Sequence, residues 1–490
     1  MASSEAIAES RNGVVSSDSI SYSQSLFSHP IYKLVPAFPN NFGAPINLGT
    51  SQIPVVVNIS PEVINLNHFL MNFTVNLPAG AGATYTWYHQ QALSFISHLQ
   101  YYTSNQQWVV DLDQVQNYLD IVIKRELEAT DFQSLDLSLV GTGPSNSPVN
   151  VLPALRNSNL GSTNVNNNPI NPSNINYLEP AYFNCGALNG IVSFNVQFPL
   201  RLLKHTAFEV DKNLYFGGQT SYFKVYFGPL SKICYLSTSN ASPSAGTKTP
   251  YVAAAGSATI TNFVVYMAVE QNQALREQTM NRVMSPAGLN YIIPYVQSFK
   301  NSNNGTSQNI NIQIDAGSGK SLVRTYHAIY NSQEDLDTAY DHANTPTIGG
   351  VTDTVATGLV NQKLGSYYTM LNSKRNQDIT IDCTPNGGFL DYMQHKRQFR
   401  KSILMNRDIM QYNWCHVDDF AMFGNEYDQA GKTDLLAGVP LINGTTLTWG
   451  FVEVSLRPVV LATLNNTFQH YTYFVLTKKL SLLPAQVIVE

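Results

Sequence analysis

The chain has 490 residues, of which 43% are hydrophobic and only 12% are charged, about half the charged share of an ordinary globular protein. The length indicates roughly two to four domains, and the hydrophobic fraction is sufficient for a large core. A formal net charge of −5 disfavours proteins whose main task is to bind nucleic acid, because these are usually basic.

Targeting and cysteine signals are weak. The start, MASSEAIAES, lacks the basic-then-apolar pattern of a signal peptide, and no apolar run reaches the roughly 18 residues of a membrane span. Cys185, Cys234, Cys383 and Cys415 are widely spaced and form no C-x-x-C pair, so neither a zinc site nor a redox motif is indicated. We expect isolated buried thiols in a reducing compartment.

The elements in chain order predict an all-β protein with a few inserted helices. Residues 1–45 are rich in Ser and then Pro, which predicts an extended N-terminal arm. Short alternating segments, beginning with 52–60 and 66–77, predict a first β domain over 46–272. Within it, 111–129 has a helical period with Asp113 at the cap position.

The second half repeats this organisation. Residues 270–284 have a helical pattern, and Pro286 and Pro294 lead us to assign 273–300 to a linker. Strand-like segments resume over 301–490, which predicts a second β domain with a C-terminal tail.

An internal repeat relates the two halves. WVVDLDQVQNYLD (108–120) matches ITIDCTPNGGFLD (379–391) without a gap, so that Asp111 corresponds to Asp382 and Leu119 to Leu390. Each segment predicts a strand that ends near the Asp and is followed by a helix. Two further pairs occur in the same order: 55–75 resembles 310–330, and TNFVVYMAV (261–269) resembles QHYTYFVLT (469–477).

Residues 315–326, DAGSGKSLVRTY, contain part of a phosphate-binding loop. Gly319, Lys320 and Ser321 fit the motif G-x-x-x-x-G-K-[ST], but Ile314 stands where the first glycine is required. The loop also needs a following helix, whereas the residues after Lys320 are β-branched and aromatic. We therefore predict a hairpin turn between two strands of the repeated unit.

Two clusters of polar residues are further candidates. Cys415, His416, Asp418 and Asp419 could bind a metal, but on a strand Cys415 and Asp419 share one face while His416 and Asp418 share the other. Polar residues at a strand end explain this cluster more simply.

The second cluster is basic. Its residues have helical spacing, which suits the solvated face of a helix better than a nucleic-acid site. The matching segment of the first half mixes Lys124 and Arg125 with Glu126 and Glu128, which argues against a basic patch shared by the two halves. The cluster comprises Lys396, Arg397, Arg400 and Lys401.

We predict no enzymatic activity. No G-x-S-x-G elbow is present, and scattered His, Ser and Asp residues are expected by chance. We assign no catalytic, cofactor-binding or metal-binding residue and expect no cofactor.

The repeat resembles the double jelly-roll major capsid protein family, which includes adenovirus hexon and the capsid proteins of nucleocytoplasmic large DNA viruses, virophages and polinton-like viruses. The resemblance covers about residues 45–490 and lies in the order of elements, with VRTYHAIYNSQEDL (323–336) and TFQHYTYFVLTKKLSLLPAQVIVE (467–490) closest to the virophage and polinton-like members. It implies two tandem eight-stranded antiparallel jelly rolls.

The resemblance also implies a homotrimer that forms a pseudo-hexameric capsomer of an icosahedral DNA virus capsid. Its partners would be neighbouring capsomers, penton and minor capsid proteins and an internal membrane, without sequence-specific nucleic-acid binding. The protein would be assembled inside the host cell and would reside in the virion. The alternatives are a penton or minor capsid component and a two-domain β-sandwich glycan-binding protein.

Overall fold

The structure is a computed structural model. It describes residues 29–48, 54–79, 84–87, 95–123, 126, 182–184, 190–228, 234–237, 248–250, 259–304, 307–314, 320–331, 347–348, 362–376, 380–382, 415–420, 438–441, 446–456 and 467–489.

Strands dominate the first half. They are β1 (Tyr32–Ala37), β2 (Ile46–Asn47), β3 (Pro54–Ile59), β4 (Ile64–Asn65), β5 (Leu70–Ala79), β6 (Thr84–Trp87), β7 (Ile96–Thr103), β8 (Trp108–Asp113), β9 (Tyr182–Asn184), β10 (Gly190–Pro199), β11 (Asn213–Leu214), β12 (Ser221–Phe227), β13 (Cys234–Ser237), β14 (Lys248–Pro250) and β15 (Thr259–Glu270). The helices are α1 (Val115–Tyr118), a π turn (Leu119–Ile123), α2 (Gln273–Met284) and 3-10 turns at Leu66–His68, Leu200–Leu202 and Ala207–Glu209.

The described part of the second half contains strands alone. They are β16 (Leu289–Asn304), β17 (Ser307–Gln313), β18 (Ser321–Asn331), β19 (Thr347–Ile348), β20 (Gln362–Leu371), β21 (Lys374–Arg375), β22 (Ile381–Asp382), β23 (His416–Asp419), β24 (Val439–Pro440), β25 (Thr446–Leu456), β26 (Thr467–Leu483) and β27 (Gln486–Val489).

Each half folds into two main sheets. In the first half, sheet 1A has the order β1–β15–β5–β10, and sheet 1B has the order β3–β12–β7–β8. In the second half, sheet 2A has the order β16–β26–β18–β23, and sheet 2B has the order β17–β25–β20–β22. A small additional sheet, β14–β13–β6–β9, is formed by the long connections of the first half.

The strand order identifies both halves as jelly rolls. In each half, one sheet joins the first, eighth, third and sixth main strands, and the other joins the second, seventh, fourth and fifth. All of these pairings are antiparallel. This arrangement limits exposed edges, and it confirms the predicted fold of two tandem eight-stranded jelly rolls, here called roll 1 and roll 2.

The repeated sequence segments occupy equivalent strands. Asp111 and Asp382 both lie on the fifth strand of their roll, and both strands pair with the fourth. The other matched segments form the second, third and eighth strands of each roll. Leu119 lies in the π turn, but Leu390 lies outside the described residues, so their equivalence stays a prediction.

The helix predicted over 111–129 begins later than the sequence indicates. Residues 111–113 belong to β8, because pairing with β7 continues to Asp113. Gln114 then has a left-handed backbone (φ 52°), and the helical turns occupy 115–123. The helix predicted over 270–284 is present as α2 and is capped by the side chain of Asn272.

The first strand of each roll contains a proline, a residue that the sequence analysis took as a sign of an arm or a linker. Pro36 lies in β1, inside the predicted arm 1–45, and Pro294 lies in β16, inside the predicted linker 273–300. Among the described strands, each of the two has a main-strand neighbour on one side alone, β15 and β26 respectively. Proline is tolerated on such edge strands, since its missing N–H removes no central pairing.

Alternate residues of the facing sheets form the core of each roll. In roll 1 the ring of Phe73 packs edge-on against Phe227, at 5.4 Å between centroids, and the buried Tyr101 hydroxyl bonds the Ser221 hydroxyl at 2.7 Å. In roll 2, Ile310 and Phe474 belong to the corresponding core.

Candidate functional site

The contact between the two rolls contains a largely buried group of charged and polar side chains. Sheet 2A is covered on both faces: residues 322–328 of β18 and 470–477 of β26 are all buried. On β26, Tyr473 packs with the core of roll 1, whereas Phe474 belongs to the core of roll 2. Roll 1 therefore covers one face of sheet 2A, and sheet 2B covers the other.

An ion cluster lies in this contact. Glu126 of roll 1 accepts a hydrogen bond from Nη1 of Arg324 on β18, at 2.5 Å, and its carboxylate also lies 3.0 Å from Nε2 of His205. The hydroxyl of Tyr326 donates to the same carboxylate oxygen. The second nitrogen of the guanidinium, Nη2, bonds Asp419 on β23 at 3.0 Å.

The charges of this cluster stabilise one another. Burial alone would raise the pKa of Glu126, but the positive charge of Arg324 and hydrogen bonds from His205 and Tyr326 hold that pKa well below its usual range. Burial opposes the charge of Arg324 as well, yet the carboxylates of Glu126 and Asp419 raise its pKa. Both groups therefore stay ionised where the two rolls meet.

The C-terminal strand contributes a second set of contacts between the rolls. The side chain of Asn105 in roll 1 donates to the carbonyl of Val487 at 2.8 Å, and the N–H of Val489 donates to the side chain of Gln107 at 3.1 Å. Since β27 also pairs with β26, residues 486–489 are fixed within their own chain. The described part of the C-terminal tail is therefore not a free arm.

The predicted metal cluster is divided between the two faces of sheet 2A. His416 and Asp418 point into roll 2, where His416 lies 2.8 Å from the Tyr367 hydroxyl and 3.0 Å from Asp418. Cys415 instead packs with the core that includes roll 1, and Asp419 pairs with Arg324. This confirms the predicted split, and no group of ligands suited to a metal ion occurs among the described residues.

Two more histidines line the interior of roll 2. His327 and His470 are fully buried, with their rings stacked at 5.4 Å between centroids and an interplanar angle of 2°. Burial holds the pKa of His327 well below its usual range, and burial also lowers the pKa of His470 to about 3. We therefore expect both rings to be neutral near pH 7.

The Gly-Ser-Gly-Lys-Ser segment does not join a strand to a helix. Residues 315–319 lie outside the described part, but β17 precedes them and β18 begins at Ser321. A phosphate-binding loop is excluded because no helix N-terminus follows Lys320. The predicted hairpin is also wrong, because β17 belongs to sheet 2B and β18 to sheet 2A, so the segment connects two sheets.

The predicted basic cluster at Lys396, Arg397, Arg400 and Lys401 lies outside the described residues, as do Lys124, Arg125 and Glu128. Among the residues of these two segments that are named here, the structure describes Glu126 alone, and Glu126 belongs to the ion cluster. Sequence reasoning missed this cluster because its members are up to 293 residues apart, between Glu126 and Asp419. One available signal was an arginine in the middle of the strand-like segment SLVRTYHAIY.

The outer face of sheet 1A occupies the place in roll 1 that the covered face of sheet 2A occupies in roll 2. Strand pairing places on it Leu34, Pro36, Leu70, Asn72, Thr74, Asn76, Gln197, Thr261, Val264 and Tyr266. No described side chain of this group is charged. Leu34 is 49% exposed, so this uncharged face is accessible in the single chain.

None of the described helices is long and apolar enough to cross a membrane. No protein-family model matches the sequence, and no curated protein is significantly similar to it.

Solved structures are similar over nearly the whole chain. The PBCV-1 virus capsid matches with a TM-score of 0.52 at 10% identity, over 94% of this chain and 97% of that chain. The Sputnik virophage matches with a TM-score of 0.50 at 10% identity, over 94% of this chain and 88% of that one. The Faustovirus major capsid protein also has a TM-score of 0.50 and 10% identity, over 98% and 97%. The chain thus has the double jelly-roll fold of these capsid proteins.

Proposed function

We propose that this chain is a major capsid protein that self-assembles as pseudo-hexameric trimers into the icosahedral shell of a double-stranded DNA virus. Its location is the virion, and its role is structural and not enzymatic. The observation that supports this most directly is the unequal covering of two equivalent sheets. Sheet 2A is covered by roll 1 of the same chain, whereas the outer face of sheet 1A has an accessible, uncharged surface.

A second copy would cover this surface. If roll 2 of a neighbouring chain packs on sheet 1A as roll 1 packs on sheet 2A, the contact repeats around a ring, and three chains place six rolls in it. The accessible part of this face supports the proposal, because the one charged residue that follows in the same alternation, Glu270, is fully buried and the cores of interfaces are depleted in charged residues. Capsomers with a near-sixfold outline can tile the flat facets of an icosahedral shell.

The domain organisation that we propose follows the strands. Roll 1 begins at β1 and roll 2 at β16, with α2 between them, so the arm and the linker are both shorter than the spans 1–45 and 273–300. The residues before β1 remain candidates for contacts with neighbouring capsomers. Penton proteins, minor capsid proteins and an internal membrane are the further partners that this role implies.

Light scattering and electron microscopy of the purified protein test the proposal. We expect a particle of three chains with a pseudo-hexagonal outline. Thr74→Lys places a charge on the outer face of sheet 1A and should yield a folded monomer, whereas the control Gln313→Lys, on an exposed position of β17 in sheet 2B, should leave the trimer intact. A wild-type protein that remains monomeric at micromolar concentration would contradict the capsid role.

A further inference from the structure

The outer face of sheet 1B has a dense set of stacked rings, which we call the ring face. Strand pairing places Tyr222, Tyr102 and Trp108 in one row across β12, β7 and β8, and Tyr226 and His98 in a parallel row. Trp108 is 37% exposed, and the other four side chains are half-buried. Roll 2 reaches this face at its β8 edge, where the side chain of Gln107, next to Trp108, accepts a hydrogen bond from the N–H of Val489.

The rings of the ring face cover one another. Tyr102 stacks on Tyr222 at 5.3 Å between ring centroids and 24° between ring planes. On its other side, the ring centroid of Tyr102 lies 4.6 Å from that of Trp108. His98 stacks on Tyr226 at 5.3 Å and 17°. The ring edges and hydroxyls therefore point outward, which disfavours a sugar, because a sugar stacks on an open ring face. Such a surface suits a protein partner, since Tyr and Trp are enriched in protein interfaces.

Charges of opposite sign lie on opposite sides of the ring face. Lys224 on β12 extends over the ring of Tyr226, 4.7 Å from its centroid. Asp111 and Asp113 lie on β8, two strands away, which corresponds to about 10 Å. Asp111 accepts one hydrogen bond from Gln100 at 3.0 Å, lies 2.6 Å from His98 and also interacts with Lys478 of roll 2. Asp113 is exposed and accepts a hydrogen bond from the N–H of the next residue.

This pattern is self-complementary. A twofold axis that lies along β7 between two facing copies exchanges β12 with β8. Lys224 of each copy then faces Asp111 and Asp113 of the other, and Trp108 of each faces Tyr222 of the other. Residues on β7 meet their own counterparts, so Tyr102 of one copy lies opposite Tyr102 of the other.

We propose that the ring face is an isologous contact through which roll 1 of one capsomer binds roll 1 of a neighbouring capsomer. This inference rests on the proposed capsid function. Three rows on three strands cover on the order of 300–400 Å² per copy, which is below the roughly 800 Å² per partner of a stable interface. The contact is therefore weak for an isolated pair and becomes effective when one capsomer makes several such contacts at once.

Charge reversal tests the contact. Lys224→Glu and the double variant Asp111→Lys/Asp113→Lys each place like charges opposite each other across the twofold axis, so neither should form shells, although both should form trimers. In an equimolar mixture of the two variants, each contact between unlike variants again places opposite charges across the twofold axis. The mixture should therefore assemble into shells. The matched control Lys374→Glu, on the exposed strand β21, should assemble as the wild type does.

The readouts separate this inference from the proposed function. Sedimentation reports trimers, and electron microscopy of concentrated protein reports shells. Normal shells from both variants, or a mixture that fails to assemble, would overturn the ring-face contact while leaving the capsid role in place. Wild-type protein without trimers would overturn both. If a charge-reversal variant fails to fold, Trp108→Thr is the second test, and normal shells from it, or glycan binding that it abolishes, also overturn the contact.

Discussion

Removing the guanidinium of Arg324 should lower the free energy of unfolding more than removing an exposed cation does. Arg324→Met keeps the length of the side chain but leaves the Glu126 carboxylate, which is 15% exposed, without its guanidinium partner. Breaking a buried ion pair by removing one member costs about 3–5 kcal/mol, because the remaining charge stays desolvated. We expect a loss of this size in the free energy of unfolding, measured by urea denaturation at a fixed protein concentration.

The chain offers a matched control. Arg276 also lies 2.5 Å from a carboxylate, that of Glu62, but these side chains are 33% and 39% exposed. An exposed pair contributes about 0–1 kcal/mol, so Arg276→Met should be nearly neutral. The double variant Arg324→Met/Glu126→Leu should regain much of the loss, because the more buried of the two carboxylates beside the missing guanidinium is then gone, while the remaining one, Asp419, is 24% exposed. Equal effects of Arg324→Met and Arg276→Met would refute the reasoning.

Acid provides an independent test of the same cluster. The pKa of Glu126 is lowered in the folded chain, so its contribution to stability is complete above the unfolded value of about 4.3 and is lost as the pH falls toward the lower folded value. Glu126→Gln should therefore reduce the loss of stability below about pH 4.3, measured as the urea midpoint at each pH. An unchanged acid profile would show that Glu126 is not ionised in the folded chain.

Further predictions concern roll 2 and the repeat. Because His470 stays neutral down to about pH 3 in the folded chain, unfolding takes up protons between about pH 6.5 and 3, and stability should fall by about 1.4 kcal/mol per pH unit there. His470→Gln should flatten this slope in urea midpoints, and a slope equal to that of the wild type would contradict it. Lys320→Ala should change stability by no more than about 0.5 kcal/mol, and ATP binding that it abolishes would reinstate the phosphate-loop hypothesis. Leu119→Ala and Leu390→Ala should each cost roughly 2–5 kcal/mol by leaving a cavity, and clearly unequal losses would argue against equivalent positions.

The sequence predicts the strands of this fold better than it predicts their boundaries. Alternation of polar and apolar residues identifies β3 and β17, whose outward side chains reach water. The gapless match of Asp111 with Asp382 also places the fifth strand of each roll correctly. Pro36 and Pro294 lie within β1 and β16, which the sequence does not reveal, because local turn propensity does not show that a strand will lie at the edge of a sheet.

The contact between the rolls is harder to predict, because it depends on residues that meet only after both rolls have formed. β18 and β26 are buried on both faces, so they lose the alternation that marks a sandwich strand. The sequence does not distinguish His327 from Arg324, because both are polar residues within one β-branched and aromatic segment. Their environments differ: His327 points into roll 2, and Arg324 meets Glu126 of roll 1.

The two equivalent sheet faces differ in charge for a physical reason that follows from the covalent link between the rolls. A buried ion pair such as Glu126 with Arg324 requires desolvation of both charges, which opposes association. Within one chain the link holds the two rolls at a high effective concentration, so this penalty is tolerated, and the pair fixes how they dock. Between chains at micromolar concentration the same penalty would weaken assembly. The accessible part of the outer face of sheet 1A has no charge and avoids this penalty, and in the proposed trimer a neighbouring copy covers it.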